Sequence, residues 1–583
     1  MTAEQTKIAE ESHVKAPWLN VYGVVPPHLD YPDCTMYEAV EHCAETYPNH
    51  TAYVFMGRKT TYRAMAAEID LCARALKATG VRPGDRITMA MPNCPQAVIM
   101  FYAINLVGAT ANMIHPLSGE KEIEFYLKES GSIFAVTLDQ FYHKFEAIRQ
   151  NVTLDNIILA SIPDALSKPV RVGYMLTEGR KQAKIPKDAP VLRWNEFLRR
   201  GRGYHWTYRA ERRAGDEAVI LYSGGTTGVT KGIQLTNLNF NALGKQIIAT
   251  NPMFRPGDKM LAVMPMFHGF GLGVSIHSML VSGGCCILVP RFTPDSYAKL
   301  LLKYRCNLIA GVPTLYEALL RLPKMKNADL SCLKGVYSGG DSLSVELKKR
   351  FDQFLFDHHA TIQVREGYGL TECVTASCLT PYHISREGSI GIPFPDTYYK
   401  IVEHGTQKEV PYGTEGEICL SGPTVMMGYL HHPEETAQTL QTHEDGLTWV
   451  HTGDLGSMDP DGFVYFRQRL KRMIVTSGYN VYPSQMENIL DAHELVQMSC
   501  VIGVPDPLKM QKVKAFVMLK PGVPANEETK AVLMAYIRKN VAKYALPYDI
   551  EFRAELPKTL VGKVAYRVLE EEELKKLSET AQE

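Results

Sequence analysis

The sequence predicts an α/β protein. Its large N-terminal domain consists of α/β subdomains with largely parallel sheets, followed by a small β subdomain and a smaller α+β C-terminal domain. Three observations carry this. Helix-period segments alternate with short apolar runs from residue 37 to residue 366. A turn-rich stretch from 391 to 462, with many Gly and Pro, holds shorter strands such as 416–420. A basic cluster, Arg467, Arg469, Lys471 and Arg472, then precedes a fresh run of elements. That run is about 110 residues long, enough for a small domain, and the boundary falls at Arg472: 1–471 and 472–583. A chain of 583 residues is in any case too long for one core.

In chain order, 1–13 is polar and charged and reads as a frayed tail. Helices are expected over 37–47, 61–79 and 119–129, the last capped by Ser118, with strands over 52–55, 86–91 and 133–137. No Asp, Glu, Lys or Arg occurs between Arg86 and Glu120. A membrane span needs about 20 consecutive apolar residues. Here Pro92, Asn93, Pro95, Asn105, Gly108 and Asn112 interrupt the run, so a buried helix between two strands fits better. Residues 163–215 are rich in Lys, Arg and Pro and read as a surface excursion. Beyond them, a helix over 237–250 and strands over 259–264, 308–312, 335–338 and 361–366 continue the alternation. In the last part, 527–541 reads as a helix with Asn526 as its N-cap.

The charges balance, with 63 basic and 63 acidic residues, which argues against a nucleic-acid footprint. The 12 cysteines show no C-x-x-C spacing and no secretory leader stands before them, so reduced thiols in a cytoplasmic protein are expected.

The stretch with the clearest chemistry is Tyr222-Ser-Gly-Gly-Thr-Thr-Gly-Val-Thr-Lys-Gly232, which follows the apolar run 218–222. Glycines let backbone N–H groups approach a phosphate, hydroxyls donate to its oxygens, and Lys231 supplies charge. A flexible linker has the same composition, but it would not need the strand before it or the apolar Ile233 and Leu235 after it. A Walker loop requires Gly-Lys-Ser/Thr, and Thr230-Lys231-Gly232 stands here instead.

This stretch resembles the phosphate loop of the adenylate-forming enzymes: acyl-CoA synthetases, luciferases and peptide-synthetase adenylation domains. Further motifs of that family follow in order. They are Ser338-Gly-Gly-Asp-Ser-Leu343, Glu366-Gly-Tyr-Gly-Leu-Thr-Glu372, Trp449-Val-His-Thr-Gly-Asp454, Arg469-Leu-Lys471 with Ser477-Gly478, and Pro557-Lys-Thr-Leu-Val-Gly-Lys563. The resemblance covers residues 30 to 570 and implies a fold in which the C-terminal domain is mobile about the hinge at Arg472.

The resemblance also assigns roles. ATP phosphates would lie against Ser223, Gly224, Gly225, Thr226, Thr227, Gly228 and Lys231. Adenine would lie against Gly339, Gly340, Asp341, Glu366, Gly367, Tyr368 and Gly369, stacked on Tyr368. Asp454 and Arg469 would hold the ribose, with Lys471 beside them. Thr371 and Glu372 would face ATP, with Mg²⁺ at Glu372 and the Ser223 hydroxyl. His268 would line the acyl pocket, although a satisfied core histidine is the plain alternative. Lys563 would reach the carboxylate and α-phosphate from the C-terminal domain. Rotation of that domain would then withdraw it and present Ser477-Gly478 to coenzyme A.

The implied substrates are therefore a carboxylic acid, ATP and coenzyme A. The opening segment 17–30, the Gly-Gly-Thr-Thr-Gly loop and the 163–215 insertion together resemble bacterial long-chain fatty-acid CoA ligases. The apolar segments 266–272 and 311–315 are candidate walls for an alkyl chain. A medium-chain or aryl acid, transfer to an acyl-carrier protein, and a non-catalytic nucleotide-binding relative remain as alternatives. Oligomeric state and peripheral membrane contact stay open. Departures from the family pattern are Asp341, Arg472, Val475 and Gln485; the charge at Asp341 has no account in the sequence.

Overall fold

The structure is a computed structural model and describes residues 14–177, 185–186, 188–224, 230–476, 479–559 and 562–580. Among the described residues the strands form four sheets.

The first is nine-stranded and parallel through its centre, with antiparallel pairs at its two ends. It contains Lys259–Ala262, Leu308–Gly311, Gly335–Ser338 and Val364–Tyr368. The second is eight-stranded and contains Arg86–Ala90, Thr110–Met113 and Phe134–Leu138 in parallel. Many of these strands are buried residue after residue, as expected where helices cover both faces of a parallel sheet.

The two sheets share one large apolar core. At its centre lies the helix Pro95–Leu106, buried at every position. That burial is why the uncharged run between Arg86 and Glu120 belongs to a protein interior. No helix among the described residues is long and apolar enough to cross a membrane.

Capping explains the helix starts around this core. Thr35 and Glu38 form a capping box on Met36–Thr46, and Thr61 accepts the N–H of Ala64 to start Tyr62–Ala78. The helix expected after Ser118 begins one residue later, at Glu120. Gly119 is its N-cap, and the Gly119 N–H donates to Glu122 at 2.7 Å.

The segment 163–215 is more than a surface excursion. Leu192–Arg193 adds an edge strand to the second sheet, and the helix Trp194–Arg202 buries Trp194, Phe197 and Gly201. Gly201 is where this helix meets Tyr62–Ala78. A Cβ there would lie 2.5 Å from the Leu71 carbonyl oxygen and 2.8 Å from the Ala75 nitrogen, both backbone atoms that cannot swing away.

The third sheet, antiparallel, contains Tyr398–Val402, Gly416–Ser421, Thr448–Met458 and Val464–Arg469 and packs around Trp449. The fourth follows residue 473: Ile474–Thr476, Tyr479–Val481, Val496–Asp506 and Met510–Leu519 are antiparallel, and Asp549–Phe552 pairs in parallel with Met510–Leu519. Helix Glu527–Asn540 begins at Asn526, whose side chain accepts the Thr529 N–H. No cysteine among the described residues is in a disulfide.

Gly201→Ala should lower the melting temperature by a few degrees, since overpacking costs about 1–3 kcal/mol. It should leave substrate affinity unchanged. A melting curve that matches wild type would show that the 163–215 segment is loosely attached.

Candidate active site

A cavity of about 720 Å³ opens where the first, second and third sheets meet the last part of the chain. The elements around it explain how each side chain arrives.

The glycine-rich motif is flanked by two antiparallel strands, Glu217–Gly224 and Thr230–Thr236, with Gly224 opposite Thr230. Ser223 and Lys231 are paired across that ladder, and both line the cavity. Gly225, Thr226, Thr227 and Gly228 lie outside the described residues, as do Ser477 and Gly478. Lys231 is buried; its Nζ is 3.3 Å from Glu435 and 5.1 Å from the Tyr429 ring. The Tyr429 hydroxyl in turn donates to Glu372 at 2.8 Å.

Thr371 and Glu372 sit in a single turn after strand Val364–Tyr368 and line the cavity together with Gly367 and Gly369. The next residue but one, Val374, has φ +66°, a costly conformation for a β-branched side chain at about 1–3 kcal/mol. Glu366 is buried in the strand, accepts the Leu343 N–H at 3.3 Å, and is pushed by burial up to about 7.

The Tyr368 hydroxyl donates to Asp454 Oδ2 at 2.7 Å. Asp454 is 1% exposed, and burial raises its carboxyl above the usual range. Its Oδ1 accepts no hydrogen bond and faces Arg469 Nε at 3.4 Å. Asp454 and Tyr368 are absent from the lining described, whereas Gly453 beside Asp454, and Gly367 and Gly369 beside Tyr368, belong to it. A carboxylate oxygen with spare acceptor capacity suits a hydroxyl donor. Glu417 orders the same turn by accepting the Gly453 N–H at 2.9 Å. Arg469 and Lys471 line the cavity; burial, then Lys231 and Arg567, pulls the Lys471 ammonium down.

His268 is enclosed except for the edge that lines the cavity. Its Nδ1 accepts the Phe270 N–H at 3.1 Å, so Nε2 carries the proton and is the free donor. Burial, helped by the nearby Lys563 charge, lowers the imidazole to about 3. The apolar arm beside it is walled by Ile247, Phe270, Val274, Leu379 and Phe394. The segment 311–315, expected in that wall, is absent from the lining described and instead flanks the Lys563 turn.

Lys563 arrives from residues beyond the fourth sheet. Its side chain passes over Gly340, where φ is +82° and an added Cβ would stand 3.3 Å from Lys563 Cε. Gly339 and Gly340 line the cavity beside it. Burial pushes the Lys563 ammonium below the usual lysine range; Asp341 opposes this and Arg469 adds to it. Asp341 itself faces the Lys563 turn, and it is absent from the lining described.

Among the described residues no group of three or more His, Cys, Asp or Glu is placed to hold a metal ion. Glu372, with Ser223 nearby, is the oxygen donor set on the cavity wall, and it suits Mg²⁺ shared with substrate phosphates.

The model of the AMP-binding enzyme family matches residues 40–430, and that of the AMP-binding enzyme C-terminal domain matches 485–563. The chain belongs to the AMP-binding enzyme family. It is 36% identical over 565 residues to a long-chain-fatty-acid–CoA ligase of Bacillus subtilis, covering 96% of this chain and 98% of that one. It is 33% identical over 570 residues to a long-chain-fatty-acid–CoA ligase of Salmonella typhimurium, with the same coverage. Among solved structures, ATP-bound MatB from Rhodopseudomonas palustris superposes with a TM-score of 0.79 at 25% identity, over 92% of this chain and 98% of that one. The apo form of the same protein gives 0.71 over the same shares. Members of this family that form acyl-CoA thioesters use ATP, Mg²⁺ and coenzyme A, and this chain is an AMP-forming acid–thiol ligase of that kind.

Tyr429, Glu435 and Glu417 were not singled out in the sequence. They act through partners 57, 204 and 36 residues away, and no local pattern marks them.

Folded His268 titrates near 3, whereas an unfolded histidine titrates near 6.5. The unfolded chain therefore binds more protons between those values, and His268 makes stability fall as pH drops below about 6.5. His277, fully buried and also lowered to about 3, acts in the same direction. Melting temperature should fall between about pH 7 and pH 5, and His268→Gln should make the fall shallower. An unchanged slope in the variant would mean that His268 is protonated in the native state.

Proposed function

We propose that this protein activates a long-chain fatty acid with ATP as acyl-AMP and transfers the acyl group to coenzyme A. In the first half-reaction a carboxylate oxygen attacks the α-phosphorus, and the bond to the bridging oxygen breaks to release pyrophosphate. In the second, the thiol loses its proton and its sulfur attacks the acyl carbon, releasing AMP. The observation that carries the reading is the presence of Lys563 in one cavity with Lys231, Glu372 and an apolar arm.

Each group has a physical task. Lys231 and Lys471 suit the β- and γ-phosphates, and Lys231 would exchange Glu435 for them. Glu372 and the Ser223 hydroxyl would hold Mg²⁺, which supplies charge neutralisation on the phosphate oxygens. Tyr368 offers its ring to adenine and Asp454 Oδ1 accepts from ribose. His268 Nε2–H donates to one carboxylate oxygen and leaves the other to react. Lys563 lowers the repulsion between two anions as they meet, which is electrostatic stabilisation by a preplaced cation.

The long-chain assignment rests on the Bacillus subtilis and Salmonella typhimurium relatives and on the arm walled by Ile247, Val274, Leu379 and Phe394, which has no charged side chain on its wall. The two halves need different groups at the same place. The reading therefore divides the chain into 1–471 and 472–583, turning about Arg472. That arginine is anchored within the smaller part by Glu487 and by Tyr566, whose ring lies 4.8 Å away.

Acid-dependent exchange of pyrophosphate into ATP, run over a series of chain lengths, should be fastest with long alkyl acids. Lys563→Ala should slow exchange by about 10²-fold or more while thioester formation from supplied acyl-adenylate stays near wild type. No exchange with any acid would refute adenylation, and equal loss in both halves would deny Lys563 a role specific to the first step.

A further inference from the structure

The acid at position 341 has no role in the reading above, yet it stands where the two parts of the chain meet. Two hydrogen bonds cross to the Lys563 turn, one on either side of the lysine. The Thr314 hydroxyl donates to the Gly562 carbonyl at 2.9 Å, and the Val564 N–H donates to Asp341 Oδ2 at 3.4 Å. We propose that Asp341 is a positioning residue which, with Thr314, clasps the backbone on both sides of Lys563 and holds that lysine in the cavity during adenylation. This rests on the adenylation reading.

The turn is built to transmit such a grip. Thr559 N–H donates to the Lys563 carbonyl at 2.7 Å, Gly562 N–H to the Thr559 carbonyl at 2.9 Å, and Lys563 N–H to the Thr559 hydroxyl at 3.1 Å. Lys558 and Val564 close it as a bridged pair. Fixing Gly562 and Val564 therefore fixes the root of the lysine side chain between them.

The clasp is equally firm on its other side. Thr314 lies in helix Pro313–Leu320, directly after strand Leu308–Gly311. Asp341 follows strand Gly335–Ser338, and its Oδ1 accepts the Ser342 N–H at 3.0 Å, which orients the carboxylate. The two strands are neighbours in the first sheet. Their loops present one donor and one acceptor at a spacing set by the sheet.

Asp341 also brings charge. Its carboxylate works against the burial that disfavours the Lys563 ammonium, and its field reaches Arg472 at the proposed hinge. Both clasp bonds join residues before 472 to residues after it, so a rotation about Arg472 breaks them together. They hold the arrangement that serves adenylation and contribute nothing to the other one.

The test uses the full-length protein as wild type, Thr314→Val, Asp341→Ala and Asp341→Asn. Each half-reaction is measured separately, and the reactivity of the Lys563 amine towards acetic anhydride is followed against pH by mass spectrometry without turnover. Loss of one clasp bond should slow pyrophosphate exchange about tenfold in Thr314→Val and Asp341→Ala. Thioester formation from supplied acyl-adenylate should change much less. Asparagine keeps an acceptor for Val564 but no charge. Asp341→Asn should therefore lose less exchange than Asp341→Ala, yet Lys563 should become reactive at lower pH than in wild type. Equal losses in both halves, or a labelling profile unchanged in Asp341→Asn, would overturn the proposal. If wild type exchanges pyrophosphate with no acid, the adenylation reading fails on its own, and the labelling profile still decides the contact with Asp341.

Discussion

A lysine must enter a cavity where burial disfavours its charge and remain charged there; the architecture around the site answers to that constraint. Taking an ammonium out of water is costly unless anions meet it. Lys563 is lowered by burial, as expected, and Asp341 is the nearby anion that opposes the shift before any phosphate arrives. Gly340 leaves room for the lysine stem at a backbone conformation that a side chain would strain. The first sheet holds the loops that grip the turn, and the third sheet pairs Asp454 with Arg469, whose side chain lines the cavity. The proposed chemistry thus depends on Lys563 and on residues far earlier in the chain reaching one place.

The other charges of the cavity are held in pairs that a nucleotide would rearrange. Lys231 rests against Glu435, Glu372 accepts from Tyr429, and Asp454 accepts from Tyr368. Such partners keep buried or half-buried groups satisfied, while Asp454 Oδ1 is left without a hydrogen bond. The cavity lining combines cationic side chains with apolar ones. Neutral His268 lines the same cavity as a hydrogen-bond donor whose tautomer is set by the Phe270 N–H. Because its imidazole stays neutral at physiological pH, it contributes direction and no charge.

Much of this was legible in the sequence, for definite reasons. Parallel strands buried on both faces announce themselves as apolar runs, and Leu308–Gly311 and Gly335–Ser338 fall where such runs stand. Capping chemistry is local, so Asn526 could be read directly; Thr61, read as the first helical residue, is the N-cap instead, and Ser118 misled because Gly119, with Glu122, takes the cap. Lys, Arg and Pro in 163–215 disguised a short helix that packs through Trp194, Phe197 and Gly201. The glycine-rich stretch gave its composition but not the antiparallel pairing of the strands that flank it, since that pairing depends on register. Long-range partners were beyond reach. Nothing near Tyr429, Glu435 or Thr314 in the chain says that they meet Glu372, Lys231 or Gly562, and the charge at Asp341 acquires meaning only beside Val564, 223 residues on.

The most direct measurement is a crystal structure with a non-hydrolysable long-chain acyl-adenylate analogue. The account predicts adenine against Tyr368, a ribose hydroxyl on Asp454 Oδ1, and the acyl chain between Val274 and Leu379. It also places the acyl–phosphate linkage between His268 Nε2 and Lys563 Nζ. An analogue seated elsewhere, or seated there with the wall of Lys563 replaced by a different cation of this chain, would contradict it.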